Sequence, residues 1–111
     1  MNKIVLSLVI ATSVFASDVW LEEADKRMNW NDAIEFCESK NAQLPTKKQF
    51  LKIWHKNNKA SDVKGFDLSV SYWTSSVVED NPLAAYPFYF MEGRNTWYYK
   101  DDKYGVRCIK K

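Results

Sequence analysis

The sequence has little glycine, histidine or cysteine: three, one and two residues among 111. So few glycines exclude a Gly-rich phosphate cradle and any collagen-like repeat. A lone histidine, His55, cannot assemble a multi-histidine metal site within one chain, and it has no second histidine to relay a proton. Charge of one sign is also lacking, because 16 basic residues stand against 14 acidic ones. With a pI of about 8.5, the chain does not have the basic character of a nucleic-acid-binding domain. Aromatic residues are plentiful: five Trp, six Tyr and six Phe. Hydrophobic residues make up 46% and charged residues 27%, ordinary figures for one folded domain and unlike those of a disordered chain.

Long apolar runs are missing too. The longest, Ile4 to Phe15, spans twelve residues, well short of the roughly twenty that a membrane-spanning helix needs. It follows the basic start Met1-Asn2-Lys3 and ends at Val14-Phe15-Ala16, the three-part pattern of an export signal. The expectation is a signal peptide over residues 1–16, cleaved after Ala16, and a single domain over 17–111. The new first residue is Ser17, so nothing points to a lipid anchor. Export to the periplasm, the cell surface or the medium places Cys37 and Cys108 in an oxidising compartment. With no third cysteine, they are expected to pair.

Local patterns place the elements. Trp30, Ala33, Ile34 and Cys37 recur at the spacing of one helix face. Asn29 can cap this helix, which should end near Asn41, a residue that tolerates the left-handed conformation. After Leu44-Pro45, Thr46 and Gln49 form a capping box for a second helix running to about Asn57, with Phe50, Leu51, Ile53 and Trp54 on its buried side. Beyond a polar loop over 60–71 come short aromatic or β-branched runs, Tyr72 to Ser76, Tyr86 to Met91, Thr96 to Tyr99 and Tyr104 to Ile109, which read as strands separated by turn-rich segments. The expected fold class is α+β, two helices followed by a small antiparallel sheet and stapled by one long-range disulfide.

Five blocks carry a resemblance: Asn29-Trp30-Asn31-Asp32-Ala33-Ile34 to Cys37, Leu44-Pro45-Thr46, Tyr72-Trp73-Thr74-Ser75-Ser76, Phe90-Met91-Glu92-Gly93 and Val106-Arg107-Cys108-Ile109. In this order they resemble the Lcl C-terminal domain family, found at the end of Legionella collagen-like adhesins, over nearly all of the chain from Val19 to Lys110. The resemblance implies a variant of the C-type-lectin-like fold, and characterised members bind sulfated glycosaminoglycans in surface adhesion. Two departures stand out. The link before Leu44-Pro45 is shortened, so that Gln43 stands where the family has arginine, and the chain carries no collagen-like repeat.

Charge is unevenly spread. Residues 39–61 contain Lys40, Lys47, Lys48, Lys52, Lys56 and Lys59 and no acid. At 100° per residue, Lys48, Lys52, Lys56 and Lys59 form one stripe on the second helix, away from its apolar side. Such a stripe would attract sulfate or carboxylate groups over the screening distance of about 8 Å. Among the aromatics, Trp73 and Trp97 are expected in the core, while Tyr98 and Tyr99, adjacent on one strand, must place at least one ring outward. An outward ring suits the C–H face of a sugar.

No metal or other cofactor is expected. Trp30-Asn31-Asp32 matches a calcium-binding tripeptide of sugar-binding C-type lectins, but it falls on the first helix. Glu79-Asp80-Asn81-Pro82 reads as a turn. Catalysis is not expected either, since both cysteines are committed and the pairs Glu22-Glu23 and Asp101-Asp102 have no reason to carry raised pKa values. The sequence therefore points to an exported, adhesin-like bacterial binding module. Its expected ligand is an anionic, sulfated glycan, met by Lys48, Lys52, Lys56, Lys59, Tyr98 and Tyr99. The alternative is a small structural or interaction subunit of the envelope that binds a protein partner.

Overall fold

A computed structural model describes residues 18–57 and 65–111. In chain order the elements are β1 (Trp20–Glu23), α1 (Trp30–Ser39), β2 (Ala42–Gln43), α2 (Lys47–Asn57), β3 (Ser71–Val78), β4 (Asn81–Tyr89), β5 (Arg94–Asn95), β6 (Tyr98–Tyr99) and β7 (Arg107–Lys110). The expected signal peptide lies outside the described residues.

Both helices start as their local chemistry dictates. The Asn29 side chain accepts from the Asp32 amide at 2.8 Å, and beyond the C-cap Lys40 the chain leaves α1 through Asn41, whose φ of 56° is left-handed. Removing this cap by Asn29→Ala should cost about 1 kcal/mol. A thermal melt should then show a midpoint about 4–8 °C lower. At α2 the capping box closes in both directions: the Gln49 amide donates to the Thr46 hydroxyl at 3.1 Å, and the Thr46 amide donates to the Gln49 side-chain oxygen at 2.9 Å.

The expected single sheet is in fact two. One is three-stranded in the order β1-β7-β2; the other is built on β3, β4 and β5, with β6 also pairing β4. The three-stranded sheet joins segments far apart in the chain, since Trp20 pairs with Ile109 and Gln43 with Ile109 from the other side. The Lys110 amide extends this pairing with a 2.8 Å bond to the Val19 carbonyl. A four-residue strand before the helices and a two-residue one between them show no periodicity of their own; they form because β7 supplies the partner on both edges.

The four-stranded sheet separates two cores. On one face Tyr72 and Phe88, cross-strand partners, join Phe90 and Val70 around Phe50 of α2, which stacks on Phe88 with ring centroids 5.3 Å apart. On the other, Trp73 and Ala85 pack with Ala33 and Cys37 of α1 and with Val106 and Cys108. The Cys37–Cys108 disulfide therefore ties the first helix to the last strand within this second core, with the two Cα atoms 5.5 Å apart. Trp73 is fully buried and its indole donates to the Met28 carbonyl at 2.8 Å. Burial, and then the hydrogen bond its hydroxyl donates to Glu23, raise the Tyr72 phenol well above its ordinary value.

Trp97 corrects the expectation of a core residue, for 41% of it is exposed. Strand pairing resumes only at Tyr98, so Trp97 sits outside the sheet that would have covered it, its ring edge-on to Tyr99 at 5.4 Å.

Candidate functional site

Two surfaces hold the residues singled out by the sequence. The first is the outer side of α2. Lys48 and Lys52 are exposed there, as expected from the burial of Phe50 on the opposite side, and Lys47 is exposed at the start of the helix. Lys56 falls in the last turn of α2, and Lys59 lies outside the described residues. Although the segment contains no acid, the fold brings one to it. The Asp18 carboxylate lies 3.6 Å from the Lys52 ammonium and accepts from the Gln49 side chain at 3.4 Å. An exposed pair of this kind is worth at most about 1 kcal/mol, so it trims the positive potential without cancelling it. Lys40 belongs elsewhere: it sits over the Phe36 ring, 5.1 Å from its centroid, beside Glu22, Glu23 and Asp25.

The second surface is on β4, β5 and β6. Tyr98 and Tyr99 pair with Ala85 and Ala84 of β4, and both are exposed, by 43% and 54%. Alternation would have hidden one of them, but a two-residue strand at the sheet margin leaves both rings partly open. Tyr98 rests on Tyr104 at 5.4 Å between ring centroids, and Tyr104 meets Trp73 edge-on at 5.0 Å. That stack anchors Tyr98 to the core on the α1 side of the sheet. Burial raises the Tyr104 phenol, with Asp102 and Tyr98 adding to the effect. Tyr99 lies beside Pro82, Leu83 and Asn31.

These surfaces do not converge. Phe50 and Phe88 mark the sheet face covered by α2, and successive strand residues point to opposite faces. Ser71 with Tyr89, Trp73 with Pro87, and Ala85 with Tyr98 are the cross-strand pairs of the other face. Lys48 and Lys52 thus look away from one side of the sheet while Tyr98 stands on the other, so one small ligand cannot touch both.

The open part of the Tyr98 face forms a groove of about 300 Å³ lined by Ser69, Ser71, Tyr89, Glu92, Arg94, Thr96 and Tyr98, with Pro87 at its floor. Arg94 and its setting were not singled out from the sequence; the turn Glu92-Gly93-Arg94-Asn95 was the signal available. Gly93 makes that turn. Its φ is 63°, and a Cβ there would fall 2.3 Å from the Trp54 ring, so only glycine allows both the left-handed backbone and the close approach of α2. The turn leaves the Arg94 Nε donating to Glu92, while another guanidinium nitrogen donates to the Thr96 hydroxyl at 2.8 Å. On the far wall the Ser69 hydroxyl and amide both donate to Asp67, holding that carboxyl below its ordinary pKa.

Glu79 and Asp80 form the tight connection between β3 and β4, as the turn reading expected, although Pro82 lies within β4. Asn31 and Asp32 lie in the first turn of α1. Among the described residues no three His, Cys, Asp or Glu side chains cluster as they would round a metal ion, and no helix is long and apolar enough to cross a membrane.

With helix order, sheet pairing and the α1-to-β7 disulfide in place, comparison with known families is decisive. The profile of the Lcl C-terminal domain matches residues 16–110. The chain belongs to the Lcl C-terminal domain family. Among solved structures this Lcl domain is similar to TC14, a C-type lectin from the tunicate Polyandrocarpa misakiensis, with a TM-score of 0.59 at 13% identity, covering 86% of this chain and 98% of that one. The Lcl domain therefore has the C-type-lectin-like fold. No curated protein matches it.

Proposed function

We propose that this Lcl domain is an exported, non-catalytic binding module whose α2 face recognises an anionic glycan, with sulfate groups as the favoured charge. The observation that carries this reading is the exposure of Lys47, Lys48 and Lys52 on one helix, within a segment that has no acid of its own. Lysine ammonium groups act as mobile point charges that meet sulfates spaced along a flexible chain without demanding a fixed geometry. A disulfide-stapled domain and the pattern of residues 1–16 support export to the periplasm or the cell surface. The proposal also includes Lys56 and Lys59, from the same acid-free segment of the sequence.

Reversing Lys48, Lys52 and Lys56 to Glu together should abolish retention on a heparin column, and the unaltered protein should elute earlier as salt is raised. Undiminished retention of the triple variant would overturn the assignment. It would favour the alternative of an envelope subunit with a protein partner. For that alternative the supporting feature is a groove of about 650 Å³ beside β1, where Leu21, Met28 and Phe36 are bordered by Glu22, Glu23 and Asp25.

A further inference from the structure

We infer that the groove over the Tyr98 face is a second binding site, for a neutral sugar residue, separate from the lysine face of α2. The inference rests on other residues than the proposed function does, and either can fail alone.

The inventory of the groove selects the ligand. Among the described lining residues the one cation, Arg94, is paired with the one carboxylate, Glu92, and Asp67, behind the far wall, takes both donors of Ser69. An added anion would meet the Glu92 charge and an added cation the Arg94 charge, so neither sign is favoured. What the pair does offer is a donor and an acceptor side by side. Ser69, Ser71 and Thr96 contribute hydroxyls around them. Ser69 spends its proton on Asp67 and Thr96 accepts from Arg94, which leaves Ser69 as an acceptor and Thr96 as a donor toward the groove. Vicinal hydroxyls of a sugar, each both donor and acceptor, match such alternating groups, whereas a purely apolar ligand would leave them unpaired.

Tyr98 and Tyr89 supply the other half of the recognition. Both line the groove, and neither phenolic hydroxyl bonds to another described residue. Tyr98 is held from beneath by Tyr104, so its ring is a fixed platform, and the face of a pyranose can pack on it with little loss of side-chain freedom. A volume of about 300 Å³ lies at the lower end of small-molecule sites and suits one or two sugar rings.

The test is titration of the isotope-labelled, disulfide-intact protein with glucose, galactose, mannose and N-acetylglucosamine, followed by backbone amide shifts. At least one of them should move the amides of Ser69, Ser71, Tyr89, Arg94 and Tyr98, with an affinity that added salt leaves unchanged. Tyr98→Ala should weaken that binding about tenfold. Arg94→Ala, on an exposed turn, serves as the second variant and should also weaken it while the remaining spectrum stays dispersed. Absence of groove shifts with all four sugars would overturn the inference, as would full-strength binding by both variants. Inorganic sulfate is the counter-probe: salt-sensitive shifts at Arg94 with sulfate would make the groove an anion site instead.

Discussion

Replacing Cys37 and Cys108 together by alanine is expected to lower the unfolding free energy by about 4 kcal/mol. The two cysteines are separated by 71 positions, so the cross-link removes a large share of the unfolded chain's freedom. Small domains have only about 5–15 kcal/mol in all, which makes this bond a large fraction of the total. Its position strengthens the effect. β7 carries Cys108 and also holds both β1 and β2, so loosening β7 from α1 releases the whole three-stranded sheet. Both cysteines are fully buried, and alanine avoids leaving an unpaired hydroxyl in the core. Urea unfolding of the unaltered and doubly substituted proteins measures the difference. Thiol titration of the unfolded, unreduced protein should find none; two free thiols, or an unchanged urea midpoint, would refute the prediction.

Phe50→Ala should cost about 3–5 kcal/mol by the same measurement. Phe50 is fully buried and its ring meets those of Trp20, Phe66, Tyr72, Phe88 and Phe90. It joins β1, α2 and the four-stranded sheet, and its loss leaves a cavity that rigid rings cannot collapse to fill. Phe50→Leu keeps much of the volume and should cost distinctly less than the alanine variant. Equal losses for both would mean that the site relaxes, contrary to its packing. Since Lys48 and Lys52 are carried on the other side of the same helix, a severe loss here would also dissolve the proposed charged surface.

Much of this architecture could be read from local sequence. Asn29, the Thr46–Gln49 box and the spacing of Trp30 to Cys37 act within a few residues, and each was met in the structure. A pair of cysteines without rivals left one pairing to consider. What escaped depends on partners far along the chain. β1 and β2 are too short to signal themselves, and Trp97 read as core because its neighbours have strand character while the pairing that would bury it is absent. Asp18 reaches Lys52 across 34 positions, so an acid-free segment is not an acid-free surface. The groove around Arg94 is the clearest case: its walls come from the approach to β3, the end of β4 and the segment from β5 to β6, and only the sheet brings them together.

The bond between Lys110 and Val19 brings the first and last strands out of the domain side by side. A unit built this way is suited to insertion: a surface loop of a host protein could accept residues 19–110 while its own cut ends stay close together. Circular permutation follows the same logic, with a short linker across that gap and new ends opened at the exposed turn of Glu79 and Asp80.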